Sequence, residues 1–407
     1  MNERSAAEPG GGTTTDFDPF SPAALDDPYP FYAALRADAP VAFNPDLGVW
    51  FVARFQGAEE MIRDKETFSS AFGVDLDNVG ADLIPDANIN GMDPPRHDVL
   101  RDILRPFFIP RSIGGLEDEI RRECQALIEP LRDRDEADLS DELAGPLPLR
   151  MISALLGVDA ADRPHVSRLA SGALARQHYS ATPSADEISA SDDARRAAED
   201  LIEYFTHALA DRRERPREDL ITHLATAEVD GDPLGDAALG MCFLLFVAGK
   251  DTTHNLLTTS LMHLADRPDD RRRLAADPAA LPVAIEEFLR FESPIQNEMR
   301  TAIADGVVEG VQIRKGQRIV ALFGSANRDE RRWEEAEALD LERERRRNLA
   351  FGVGIHFCLG APLARLEARV VLEEFLAAFP DFRRSGPIRR DSRVNERGLR
   401  ALPVGLS

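Results

Sequence analysis

The chain has 407 residues, 43% of them hydrophobic, which is ample for a large buried core. Its 72 acidic residues outnumber 49 basic ones, and the formal net charge of -23 repels nucleic-acid phosphates and anionic lipid headgroups. That excludes an extended nucleic-acid footprint, and three widely separated cysteines, Cys124, Cys242 and Cys358, offer neither a CxxC metal site nor a disulfide framework.

Residues 1–20, rich in Gly, Thr and Ala, are expected to form a disordered tail with no signal-peptide character. The longest apolar stretch, Leu239–Ala248, carries a glycine and is too short to span a bilayer, so a cytoplasmic protein free of membrane is expected. From 21 to 407 no linker or repeat divides the chain, which is expected to form a single domain. Val49–Val52 reads as a strand. Leu116–Asp133, Asp192–Arg213 and Leu234–Leu264 carry apolar residues at helical spacing, as do Pro282–Phe291 and Ala361–Phe379. Val307–Ile313 and Arg318–Leu322 read as strands, with a small hairpin at Asp305-Gly306…Gly310. The fold class is mainly α with small β-sheets.

Two segments break these patterns. Ala248-Gly249-Lys250-Asp251-Thr252-Thr253 interrupts an apolar helix, at a cost of about 1 kcal/mol for a glycine alone. Ala248 and Thr252 share a face, whereas Lys250 points away from it. By itself this suggests a bent helix in which Thr252 bonds back to a carbonyl. Farther on, Phe351-Gly352-Val353-Gly354-Ile355-His356-Phe357-Cys358-Leu359-Gly360-Ala361-Pro362 places a cysteine just before a helix N-terminus. The partial positive charge there, and the amides of Leu359 and Gly360, favour a thiolate.

The spacing F-x-x-G-x-x-x-C-x-G resembles the haem-binding loop of the cytochrome P-450 family, and A-G-x-D-T-T resembles that family's oxygen-binding helix. Glu287 and Arg290 resemble its structural ion pair, with Asn327-Arg328-Asp329 and Trp333 as the segment packed upon it. The family's Pro-x-x-Phe element is replaced by Glu335-Ala336-Glu337-Ala338-Leu339-Asp340, for which a looser segment is expected, with Leu339 standing in for the phenylalanine.

The resemblance implies a triangular helical prism around a buried haem b, with Cys358 as axial thiolate and thus the iron ligand. Ala248, Gly249, Phe351, Gly352 and Gly360 would line the cofactor, and His97, Arg101, Arg300 and His356 would meet its propionates. Asp251 and Thr252 would deliver protons to dioxygen. Phe72, Ile84, Leu244, Leu245, Ala248, Ile295, Gln296 and Asn297 would line a mainly apolar substrate pocket.

The implied activity is that of a soluble bacterial monooxygenase, expected to be a monomer. It would use O₂ and electrons from a ferredoxin with its NAD(P)H-dependent reductase on a small organic substrate such as a terpenoid, polyketide or other secondary metabolite. A peroxide-dependent enzyme and a non-catalytic haem-binding or sensing protein are the alternatives; neither needs the acid–alcohol pair. From Glu66 to Pro95 there is no Lys or Arg but there are Asp75, Asp77, Asp82, Asp86 and Asp93, and Glu298 adds a negative charge, so carboxylate ligands are expected to be disfavoured. The basic run Arg345, Arg346 and Arg347, with Arg105, Arg111 and Arg365, is the expected docking patch for the electron donor.

Overall fold

The computed structural model describes residues 12–76, 88–174, 185–390 and 393–406. Its axis is a 31-residue helix, Asp236–Asp266. Gly235, at φ 55°, turns the chain immediately before it, and Asp236 puts a carboxylate in the positively polarised first turn. The helix is apolar on nearly every side, as one in the middle of a core must be. Helices Pro146–Leu156, Leu281–Glu292 and Ala361–Ala378 pack around it.

The Ala361–Ala378 helix begins with Pro362 in its first turn, where a missing N–H costs nothing. It buries Leu363, Val370, Leu372 and Phe375 and lies against Glu117–Ile128. The latter helix is shorter than the expected Leu116–Asp133, because Pro130 converts its end to a 3₁₀ turn at Glu129–Leu131.

The largest sheet has the order Thr13–Thr14, Val41–Asn44, Val49–Val52, Arg318–Ala321, Glu298–Ala302, Phe68–Ser69. Val49–Val52 pairs antiparallel with Val41–Asn44 and parallel with Arg318–Ala321. Period-two alternation sends Trp50 and Val52 to one core and Val49 and Phe51 to another, so both faces are covered and the strand reads as an unbroken apolar run. The tail expected over 1–20 is already structured at Thr13–Thr14, which pairs with Ala42 and Phe43. Phe17 anchors it, with its ring 5.2 Å from Phe51 and only 5% exposed. The hairpin expected around Gly306 and Gly310 is present as Gly306–Val308 paired with Val311–Ile313. Among the described residues no helix is long and apolar enough to cross a membrane.

Candidate active site

The cysteine loop is shaped by two left-handed glycines, Gly352 at φ 64° and Gly354 at φ 74°, a conformation that other residues resist. The Cys358 amide donates to Phe351 O at 2.9 Å, closing the loop just before its helix. Cys358 is exposed along a cavity of ≈ 420 Å³. Burial pushes the thiol up, while the Gly360 amide, the Arg101 and Arg365 charges and the Ala361 amide pull it back. Of the two amides expected to act on it, that of Gly360 does so, and that of Ala361 joins it.

Ala248, Gly249, Asp251 and Thr252 form another part of the same cavity wall. Thr252 Oγ1 donates to Ala248 O at 2.9 Å, the back-bond that a threonine in a helix readily makes. Gly249 is tight against Ile152, whose Cγ1 would lie 3.1 Å from an added Cβ. Asp251 is buried and clamped by two cations, with Arg393 Nη1 donating at 2.8 Å and Lys250 Nζ forming an ion pair at 3.3 Å. Burial works to raise its pKa, but Arg393 and then Lys250 hold the carboxyl below its ordinary value. Lys250 does point away from the Thr252 face and donates to Ser171 Oγ at 2.8 Å.

The residues bordering the cysteine fit a flat dianionic cofactor. Arg101, Arg300 and His356 line the cavity beside Cys358. His97 is 1% exposed, its Nδ1 meets Asp98 at 2.8 Å, and its Nε2 has no partner. Its ring lies 4.4 Å from that of His356, whose Nε2 meets Ser70 Oγ at 3.1 Å. Burial, with Arg300 next, lowers His356 to about 3, so the imidazole is neutral. His97 itself does not line the cavity, but it contacts His356, which does, and the two guanidinium groups and the thiol of that wall are what two carboxylates and an iron would complete.

Of the expected pocket residues, Leu244, Leu245, Ala248, Ile295 and Asn297 line the cavity. Phe72 does not: it is 64% exposed. Gln296 is buried but turned from the cavity, its Nε2 donating to Glu292 O and Ser293 O at 2.7 Å each. Ile84, like Asp77, Asp82 and Asp86, lies outside the described residues. Asp93 is structural, accepting from Ser69 Oγ at 2.5 Å and from the Ser70 amide at 3.0 Å. Arg393, Asn395 and Glu396 were not expected here; Asn395 and Glu396 line the cavity, and Arg393 reaches Asp251. The segment carries no recognisable motif and arrives only through tertiary folding.

Behind the loop, Glu287 and Arg290 are 3% and 2% exposed and make a bidentate pair at 2.7 Å. Arg290 also donates to Asn327 O, Ala336 O and Ala338 O at 3.0, 2.8 and 3.0 Å. Glu287 Oε1 further accepts from the Asp340 amide at 2.9 Å and from Arg343 at 3.1 Å. The segment Glu335–Asp340 is therefore held at several points, contrary to the expected loosening, because charged side chains clamp its backbone directly. Leu339 is buried there at 8% exposure.

The basic run near the loop is partly neutralised. Arg365 pairs with Glu286 at 2.5 Å, Arg347 with Glu59, Arg346 with Glu344 at 3.7 Å, and Arg105 with Asp102 at 3.5 Å. Arg111 and Arg345 are exposed.

A family model described as "Cytochrome P450" matches residues 279–383. The chain is similar to the putative cytochrome P450 YjiB of Bacillus subtilis (strain 168), with 34% identity over 356 residues, 87% of each chain. In structure it is similar to cytochrome P450 CYP109Q5 from Chondromyces apiculatus, at a TM-score of 0.86 and 32% identity, covering 96% of this chain and 98% of that one. It is also similar to CYP109E1 from Bacillus megaterium in complex with testosterone, at a TM-score of 0.82 and 30% identity over 94% and 99% of the chains.

Proposed function

Because the chain belongs to the cytochrome P450 family and is a P450 monooxygenase, we propose that it takes electrons from a ferredoxin and its NAD(P)H-dependent reductase in the cytoplasm to oxygenate a small, mainly apolar molecule. The observation that carries this reading is the meeting of Cys358, Asp251 and Thr252 in the wall of one largely apolar cavity. Cys358 would hold haem b through its thiolate, and His97, Arg101, Arg300 and His356 would take the propionates. When bound, the haem supplies the activation of O₂ and the insertion of one oxygen atom.

The chain's own residues do the rest. Leu244, Leu245 and Ile295 bind apolar surface and exclude water. Thr252 Oγ1 holds a hydroxyl proton in the cavity, parked on Ala248 O until it turns. Asp251, ionised between Arg393 and Lys250, takes a proton from solvent and passes it toward Thr252. The neighbour solved with testosterone supports a rigid apolar substrate of similar bulk for this chain. The proton roles favour an O₂-dependent enzyme over a peroxide-dependent one.

Dithionite reduction under CO tests the ligation. The expected result is the strongly red-shifted Soret band of thiolate-bound haem, abolished in Cys358→His. Thr252→Ala should bind substrate nearly as well but divert NADH electrons to hydrogen peroxide. A Cys358→His protein that keeps the band, or unchanged coupling in Thr252→Ala, would overturn the respective assignment.

A further inference from the structure

Asp251 meets its two cations through different oxygens. Oδ2 faces Arg393 Nη1 at 2.8 Å, and Oδ1 faces Lys250 Nζ at 3.3 Å. Arg393 is fixed in place: its side chain is 2% exposed, and its Nη2 also meets Glu396 Oε2 at 2.9 Å, an oxygen that Asn255 Nδ2 holds at the same distance. A guanidinium does not give up its proton in a protein, so Oδ2 stays covered.

Lys250, which occupies the position that A-G-x-D-T-T leaves open, differs on each count. Its side chain is 13% exposed, and Nζ donates to Ser171 Oγ at 2.8 Å, closer than its contact with the carboxylate. Ser171 is exposed and spends its own hydrogen on Ser167 O at 3.0 Å, so its oxygen is turned to the ammonium as an acceptor. It stands on the helix Arg163–Leu174, whose Ala173 lines the cavity. The ammonium thus lies between the carboxylate, itself 6% exposed, and an acceptor open to solvent, on a flexible stem. The other charged or titratable groups acting on Asp251 are Arg400 and His254, which burial lowers to about 4 and so leaves neutral.

We infer that Lys250 is a positioning residue that gates proton entry, covering Asp251 Oδ1 when it is seated on the carboxylate and releasing that oxygen when Ser171 takes the ammonium. The inference rests on the function proposed above. The proton that reaches Oδ1 comes from solvent water, and Lys250 keeps its own three, so the carboxylate is the one group of this trio whose charge changes. While seated, Lys250 helps to hold the carboxyl ionised, as Arg393 does from the other side. Without the ammonium, Asp251 should take a proton at higher pH. Without the Ser171 hydroxyl, the ammonium loses its outer seat and should cover Oδ1 more of the time.

Infrared difference spectra of the haem-loaded protein, taken in pH steps, follow the carboxylic-acid C=O band of Asp251, which is assigned by its absence from Asp251→Asn. That band should appear at higher pH in Lys250→Met than in wild type, and at lower pH in Ser171→Ala. A second readout needs neither substrate nor donor protein: reduced, desalted protein is mixed with oxygenated buffer and the return of the oxidised Soret band is timed. The rate should fall as pH rises. At about pH 8, Lys250→Met should run about fivefold faster than wild type and Ser171→Ala about twofold slower. A lysine that only packs would change stability without these opposite displacements. If Lys250→Met does not fold, Ser171→Ala, at an exposed position, decides alone. A Lys250→Met titration that superimposes on wild type, a Ser171→Ala titration not displaced to lower pH, or a wild-type rate independent of pH would overturn the inference. Failure of the underlying function shows separately, as a wild-type protein without the red-shifted CO band before oxygen is added.

Discussion

Arg290→Leu removes the guanidinium that ties three carbonyls, from two separate segments, to Glu287. Arg290 is 2% exposed and spends its donors on Glu287 and on the carbonyls of Asn327, Ala336 and Ala338. Breaking a buried pair by removing one partner costs about 3–5 kcal/mol. Here the stranded Glu287 keeps the Asp340 amide and Arg343, which moderates its share. Three carbonyls lose charge-assisted bonds, which adds to it. We expect about 4 kcal/mol in total, a large part of the ~5–15 kcal/mol that holds a domain folded. At about 2.1 cal/mol/K per residue, a chain of 407 residues should then melt roughly 5 °C lower. Circular dichroism melts of matched haem-loaded samples measure this. Arg290→Lys should lose most of the same stability, because an ammonium cannot make the fork or reach all three carbonyls. The paired change Glu287→Met/Arg290→Leu should cost less than Arg290→Leu alone, since no carboxylate is left buried. A melting temperature for Arg290→Leu within about 1 °C of wild type would refute the reasoning.

Three further outcomes follow from buried or clustered charge. Burial lowers His254 to about 4 beside its 2.9 Å partner Ser140 Oγ. The unfolded ring takes a proton below about pH 6.5 while the folded ring refuses it, so stability should fall by about 3 kcal/mol as pH drops from ~6.5 to ~4. His254→Gln should flatten that part of a urea-denaturation profile, and equal slopes in the two proteins would argue against it. Glu367 is pushed up to about 8 by burial, with Oε2 unpartnered. The folded carboxyl keeps a proton that the unfolded one loses, so stability should fall as pH rises from about 4.3 toward 8, by on the order of 3 kcal/mol at neutral pH. Glu367→Gln should therefore melt higher than wild type at pH 8 and equally at pH 4; no gain at pH 8 would contradict the burial argument. Reversing Arg345, Arg346 and Arg347 to Glu should slow first electron transfer by about tenfold at low salt and flatten its salt dependence, leaving the CO spectrum intact. Equal stopped-flow rates at low ionic strength would place the donor elsewhere, and the pairing of Arg347 with Glu59 makes Arg345→Glu the informative single change.

The helices and the cysteine loop were legible because their signals are local. Apolar spacing marks Asp236–Asp266 and Ala361–Ala378, and the glycines around Cys358 sit at fixed offsets from it. What stayed hidden depends on where a side chain turns. Gln296 and Asn297 are adjacent and similar, yet one bonds back to Glu292 and Ser293 while the other joins the cavity wall. Close packing at Gly324 helps to set this, since an added Cβ would lie 2.2 Å from Gln296 Oε1. Arg393 is far from Asp251 in sequence and bonds it only because a bridge at Ile295 and Glu396 folds its segment inward. The looseness expected at Glu335–Asp340 was an inference from a missing proline and phenylalanine, and it overlooked how much one buried guanidinium can hold.

The cysteine loop straddles two separate cores. Leu349 and Val353 belong to the cluster under the sheet, whereas Ala350 and Leu363 belong to the cluster around the long helix. The loop is thus a mechanical stitch between the two cores, beside the ties that Arg290 makes to Asn327 and Ala336. Neither core can shift against the other without pulling on the thread that carries the sulfur. With the proposed ligation by Cys358, a substitution deep in either one, far from any ligand, should register in the Soret band before it registers as unfolding, which would make the cysteine a strain gauge for both cores.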